Sequence, residues 1–202
     1  MPETNLSQIG LGLKALDLFS GTGSVGIRLR ELGFEVTSLD VDLNRKPDIR
    51  GDILQWDYKK DYPPNYFSLI AAGVPCNEYS PAKTRGERDI THADKLVEKT
   101  LEIIRYFQPP LWWIENPRLG YLKTRECVKG VPYIDVDYCQ FSDWGYQKPT
   151  RIWCCDIIST LPNKICDGKT CPNLVDPTGS SKRHRYRLGG YKMKFSTLKK
   201  VG

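Results

Sequence analysis

Lys14-Ala15-Leu16-Asp17-Leu18-Phe19-Ser20-Gly21-Thr22-Gly23-Ser24-Val25-Gly26 is the stretch whose reading decides the fold. Lys14 to Phe19 reads as a strand, and the glycine-rich run after it reads as a tight turn into a helix. That helix places Val25, Leu29 and Leu32 on one face and stops near Gly33. A second strand follows from Phe34 to Leu39 and ends in Asp40. Strand, glycine turn, helix, strand and acid together form a βαβ unit of the kind that binds nucleotides.

The chemistry of such a unit explains its residue types. Glycines let the backbone approach a ligand, and an acid closing the second strand accepts hydrogen bonds from both ribose hydroxyls. Gly21, Gly23 and Gly26 satisfy G-x-G-x-x-G, a pattern that a purely structural turn can also show. A nicotinamide dinucleotide and S-adenosylmethionine both carry an adenosine that fits this arrangement. Asp17, a carboxylate near a cationic ligand, and Phe19, a ring for adenine, favour the methyl donor. Asp52 and Ile53, where a third strand or loop ends near Arg50, bring a carboxylate for the adenine amino group and an apolar cover for its face.

Outward from this unit, Leu69 to Val74 is a small, apolar run that stops at Pro75-Cys76. It reads as a buried strand with Cys76 where the chain leaves the sheet, the edge at which open α/β sheets bind ligands. A buried thiol packed as a small hydrophobe is the competing reading on this stretch alone. The polar stretch from Tyr79 to Asp89 is long enough for a lid beside a site. His92 to Phe107 carries Ala93, Val97, Thr100, Ile104 and Phe107 on one helical face, with His92 a helix-end residue. Leu111-Trp112-Trp113-Ile114 then delivers Glu115-Asn116-Pro117 at a strand end. A further strand near Tyr133 to Phe141 and another near Tyr146 to Trp153 follow, the latter with Arg151 and Trp153 on one face and Ile152 on the other.

Composition bounds the rest. The 202 residues, 40% of them hydrophobic, suit one compact domain with a small appendage. No apolar signal core or membrane-length stretch is visible, and seven cysteines fit reduced thiols better than a disulfide framework, so a soluble intracellular protein, favoured as a monomer, is expected. The net charge of +6 belongs to the tail: eight Lys or Arg and no acid follow Asp176, leaving the first 176 residues at 22 − 24 = −2. A polyanion partner or a merely solvated terminal segment fits that tail equally.

Taken together, the pieces resemble the DNA cytosine-5 methyltransferase family. Asp17-Leu18-Phe19-Ser20-Gly21-Thr22-Gly23 is similar to its cofactor motif, Pro75-Cys76-Asn77-Glu78-Tyr79-Ser80 to its Pro-Cys-x-x-x-Ser motif, Glu115-Asn116-Pro117 to its Glu-Asn-Pro motif, and Gln147 to Arg151 to its Gln-x-Arg-x-Arg motif. Order and spacing agree over residues 14 to 153. The resemblance implies a Rossmann-like class I S-adenosylmethionine-dependent methyltransferase fold: a mostly parallel sheet, helices on both faces, and a small carboxy-terminal appendage. It implies a catalytic domain over 1–153 and a Cys-containing, basic segment over 154–202. It also implies that Asp17, Phe19, Gly21, Thr22, Gly23, Asp40, Asp52, Ile53 and Pro75 line the S-adenosylmethionine site. Cys76 becomes the nucleophile that adds to carbon 6 of a flipped-out cytosine, Glu115 the group on the base's Watson–Crick edge, and Arg151 the donor to its carbonyl. DNA is the implied partner, with an RNA enzyme of the transfer-RNA type or a catalytically silent nucleic-acid-binding homologue as alternatives.

The chain departs from the family pattern at three places. Pro149 stands where the arginine motif commonly has Arg, only 49 residues (202 − 153) follow Trp153 where a target-recognition segment would lie, and the last cofactor motif with its Gly-Asn pair is absent. The carboxy-terminal part holds Cys166-x-x-x-x-Cys171 and His184 instead, three candidate zinc ligands with Cys154 or Cys155 as the fourth. Ordinary reduced thiols in a β-rich appendage are the preferred reading of these residues at this point. The basic run Lys182 to Arg187 has its natural partner in nucleic-acid phosphates.

Overall fold

A computed structural model describes residues 10–141, 146–175, 183–184 and 186–187. Residues 142–145 and most of the basic segment after Asp176 lie outside the described residues. Seven strands form one sheet in the order β3-β2-β1-β4-β5-β8-β6. They are β1 (Lys14–Leu18), β2 (Glu35–Asp40), β3 (Ile49–Arg50), β4 (Leu69–Ala72), β5 (Leu111–Pro117), β6 (Tyr133–Asp137) and β8 (Pro149–Cys154). β3, β2, β1, β4 and β5 run parallel, and β8 is antiparallel to both β5 and β6. Two short ribbons complete the strands: β7 (Tyr146–Gln147) with β11 (Tyr186–Arg187), and β9 (Leu174–Val175) with β10 (Arg183–His184).

The pleat sorts side chains onto two apolar layers. Leu16, Leu18, Ile70, Ala72 and Ile114 pack with Ala93, Val97, Ile103, Ile104 and Phe107 of the long helix α3 (Ile90–Phe107). Ala15, Leu69, Ala71 and Trp113 pack on the opposite face with Leu29 of α1 (Ser24–Glu31). Helices therefore cover both faces, as expected. The face of α3 matches the one read from the sequence, with Ile103 added. On α1 it differs: Gly26 and Leu29 are buried while Val25 is exposed, because Asp17 accepts the Gly26 N–H at 3.0 Å and draws that turn onto β1.

The crossovers reverse direction between β1 and β4, which opens a crevice at their carboxyl ends, the position where doubly wound sheets hold ligands. Leu18 O accepts from Gly73 N and Leu39 O from Ser20 N, so the loops leaving β1, β2 and β4 are tied together at this edge. Among the described residues, no helix is long and apolar enough to cross a membrane.

Candidate active site

The glycine turn is shaped by left-handed backbone. Phe19, Gly21 and Gly23 have φ of 57°, 51° and 76°, a region in which a residue with a Cβ is strained by about 1–2 kcal/mol. Phe19 holds it because its neighbours on both sides are pinned to the sheet. A Cβ added at Gly23 would meet nothing within 4 Å, and at Gly21 or Gly73 only Phe19 O at 3.8 Å, so these glycines border open space. Asp40 closes that space. Its carboxylate accepts from Gly21 N at 2.7 Å and Asp42 N at 2.8 Å. An open glycine cradle, a ring and a carboxylate at a strand end fit the adenosine of S-adenosylmethionine. Thr22 and Pro75 are exposed beside it, and Asp52 is half-buried, capping the turn at Leu54 N.

Two of the residues expected to line the cofactor site sit behind it. Asp17 is 2% exposed and faces Gly26; burial pushes its carboxyl up to about 6, against the Gly26 N–H and Arg30. Ile53 is enclosed in the core layer beneath α3.

Cys76 leaves β4 on the loop Gly73-Val74-Pro75. Asn116, fully buried at the end of β5, donates from Nδ2 to Val74 O at 3.0 Å and so fixes the Cys76 loop against the Glu115 strand. Cys76 is half-buried. Burial pushes its thiol up, the Glu115 charge pushes it further, and Lys148 pulls it back down. The Glu115 charge thus reaches the Cys76 thiol.

Lys148 is the residue the sequence reading missed. Its Nζ lies 2.9 Å from Glu115 Oε1, with each side chain 22% exposed. Glu115 Oε1 has no hydrogen-bonded donor among the described residues, so the contact is an ion pair of poor hydrogen-bond angle. Burial works to lower the Lys148 ammonium, but Glu115, Tyr138 and Tyr146 outweigh it and leave its pKa raised. The ammonium also stands 5.0 Å from the Tyr138 ring centroid.

Arg151 is not in this cluster. Glu115 is paired with Ile152 and Asn116 with Arg151 across β5 and β8, so the pleat turns Glu115 and Arg151 to opposite faces. Arg151 instead makes a two-point ion pair with Asp135 at 2.8 and 2.9 Å and stacks 3.6 Å from the Tyr133 centroid. It borders a depression of about 550 Å³ shared with Lys123, Lys129, Tyr133 and Trp153, which includes neither Cys76 nor Glu115. The signal that could have found Lys148 is the same two-residue period: it has the parity of Ile152, which faces with Glu115.

The loop from Tyr79 to Asp89 is braced. Tyr79 is buried and donates to Asp94, Lys83 pairs with Glu78 at 2.6 Å, and Arg88 donates to the carbonyls of Glu78 and Lys83. Near the carboxy terminus the structure brings Cys166, Cys171 and His184 together with Cys139. Neither Cys154 nor Cys155 joins them: Cys154 is buried on β8 and Cys155 precedes the short helix α4 (Asp156–Ser159).

The comparison that decides the family is with the sequence model of the C-5 cytosine-specific DNA methylases, which matches residues 13–148. The chain belongs to that family. The methylase is 38% identical over 188 residues to the Frog virus 3 (isolate Goorha) protein called "Probable DNA (cytosine-5)-methyltransferase", covering 85% of this chain and 84% of that one. Among solved structures it is similar to an E. coli prophage-encoded protein provisionally assigned as a DNA modification methyltransferase, with a TM-score of 0.51 and 18% identity, a likeness of fold. That match covers 82% of this chain and spans about half, 52%, of the other. The methylase accordingly transfers a methyl group from S-adenosylmethionine to carbon 5 of cytosine in DNA.

Proposed function

We propose that Cys76, Glu115 and Lys148 carry the chemistry of this methylation, with Cys76 as nucleophile and Lys148, rather than Arg151, as the cation of the base site. The observation that carries the reading is their convergence at the carboxyl edge beside the open glycine cradle. Carbon 5 of cytosine is a weak nucleophile until a sulfur bonds to carbon 6 and leaves an enamine-like ring. Cys76 Sγ makes that bond, and the electron density it pushes into the ring collects at nitrogen 3 and oxygen 2. The proton that Cys76 gives up passes to Glu115, whose Oε1 then holds it against nitrogen 3, and the Lys148 ammonium stabilises the charge at oxygen 2. After methyl transfer to carbon 5, loss of the carbon 5 proton to water expels the Cys76 thiolate, which recovers a proton as the base leaves.

Before a base enters, Lys148 and Glu115 neutralise each other, which avoids an unpaired charge in a half-enclosed site. The incoming cytosine replaces each partner with a base atom. Cys76 is protonated at rest, because burial and Glu115 both favour the thiol; the Lys148 ammonium favours the thiolate once Glu115 shares its charge with the base.

S-adenosylmethionine, held by the Gly21–Gly23 turn with Asp40 on its ribose and Phe19 on its adenine, supplies the methyl group. Asn116 keeps the Cys76 loop at a fixed distance from Glu115, so the sulfur meets one face of the ring only. A cytosine stacked in a duplex cannot reach this edge and must leave the helix.

The experiment is methyl incorporation from labelled donor into DNA and into RNA, with bisulfite mapping of the modified carbon. The reading expects label in DNA at cytosine, loss of it in Cys76→Ser and Lys148→Met, and its persistence in Arg151→Gln. Label in RNA alone would assign the transfer-RNA type of activity. Full activity of Lys148→Met would remove lysine from the mechanism.

A further inference from the structure

We propose that Cys139, Cys166, Cys171 and His184 bind a single zinc ion that clips the start of the basic carboxy-terminal segment to the edge of the catalytic sheet. The four ligand atoms all lie within 4.8 Å of one another, and Nε2 of His184 is 3.4 Å from Sγ of both Cys166 and Cys171. A tetrahedral zinc with metal–sulfur bonds of about 2.3 Å and a metal–nitrogen bond of about 2.0 Å requires sulfur–nitrogen edges near 3.5 Å and sulfur–sulfur edges near 3.8 Å. The two sulfur–nitrogen edges at His184 have that length, and the remaining edges are no longer than 4.8 Å. Three sulfurs and one imidazole nitrogen are the donor set of structural zinc.

The surroundings are those of metal-bound thiolates rather than of packed hydrophobes. Gln140 Nε2 points at Sγ of Cys171 and of Cys139, at 3.8 and 3.9 Å, and Gly168 N donates to Cys166 Sγ at 3.4 Å. Such donors offset the excess negative charge of three thiolates on a divalent ion. The four-residue gap between Cys166 and Cys171 is folded into a knuckle by Asp167, which accepts from Lys169 N, Thr170 N and Thr170 Oγ1, with Gly168 at φ 70°. Cys139, Cys171 and His184 are buried, which suits a closed, four-ligand structural site.

The ligands come from three separate parts of the chain. Cys139 follows β6 in the 3-10 turn Tyr138–Gln140, Cys166 and Cys171 belong to the segment that runs along β6 through the Val136–Lys164 bridge, and His184 lies on β10. Beyond β10 the chain pairs through β11 with β7, immediately before Lys148. Tyr138, next to the ligand Cys139, is the ring beside Lys148. The ion would therefore fix both the tail and one wall of the base site.

The test measures zinc in the full chain purified under reducing conditions, by inductively coupled plasma mass spectrometry. One ion per chain is expected for the wild type and for Cys155→Ser, and loss of it for Cys171→Ser. Because Cys171→Ser can fail to fold, cobalt replacement in the wild type gives a second readout. A tetrahedral d–d spectrum with a thiolate-to-cobalt charge-transfer band is expected, together with a fall in Tm on chelation. Substoichiometric metal after dialysis against zinc, no thiolate–cobalt band, or full metal in folded Cys171→Ser would each overturn the proposal.

Discussion

Replacing Lys148 by Met and Glu115 by Gln should move the reactivity of Cys76 in opposite directions. The Cys76 thiol is raised by burial first and by Glu115 second, and is lowered by Lys148. Removing the Glu115 charge should therefore move the Cys76 midpoint downward in Glu115→Gln, and removing the Lys148 charge should move it upward in Lys148→Met. Below the midpoint, one pH unit is about tenfold in thiolate and therefore in alkylation rate. The assay is the pH profile of iodoacetamide labelling of the Cys76 peptide, followed by mass spectrometry so that the other six cysteines do not interfere. A stability signal accompanies it. At 2.9 Å and an effective dielectric of ~20 the attraction in the Lys148–Glu115 pair is about 6 kcal/mol, most of it offset by the desolvation of both ions. Removing the ammonium alone leaves the carboxylate uncompensated, so Lys148→Met should unfold about 3 kcal/mol more easily, and the double variant should recover much of that. Midpoints that move in the same direction, or not at all, would refute the shared electrostatic environment.

Two further outcomes follow from the placement of the ionisable groups. Asp17 has its carboxyl raised to about 6 from the ordinary aspartate value of 3.8, so the folded chain takes up its proton more readily than the unfolded one. The resulting penalty, at most about 3 kcal/mol, is present above pH 6 and is relieved as the pH falls toward 4; urea unfolding of Asp17→Asn should exceed wild-type stability at pH 8 and converge with it near pH 4. Arg151→Gln leaves buried Asp135 without its two-point partner and should cost about 3 kcal/mol in stability, while kcat per folded molecule stays within about threefold, which separates a structural arginine from a catalytic one.

The fold was legible where the period of the sequence and its breakers agreed. The glycine turn between Phe19 and Gly26, the α3 face, and the strands that lead to Cys76 and carry Glu115 all stand where the pattern puts them, although β5 runs on to Pro117, because each is a local choice reinforced by burial. The buried face of α1 differs at its first turn because it is set by a hydrogen bond from Gly26 to the buried carboxylate of Asp17 on the preceding strand, which no periodicity encodes. Arg151 lies away from Glu115, and Lys148 beside it, for a simpler reason. Motif resemblance ranks residues by type, whereas the pleat assigns them by parity, and only the β5–β8 register shows that Glu115 shares its face with Ile152. Cys139 was invisible as a fourth ligand because it lies twenty-seven positions (166 − 139) before Cys166 and meets it only through the return of the chain along β6.

The central claim is a sulfur–carbon bond formed by one particular cysteine. DNA carrying 5-fluorocytosine blocks the loss of the substituent at carbon 5, so once the methyl group has been transferred the sulfur cannot be expelled and the adduct persists. Incubation of that DNA with the methylase and S-adenosylmethionine, followed by digestion and mass spectrometry, should find the nucleotide on the peptide containing Cys76, and no adduct in Cys76→Ser. Methylated DNA with the adduct on another residue, or an adduct that survives in Cys76→Ser, would contradict the account.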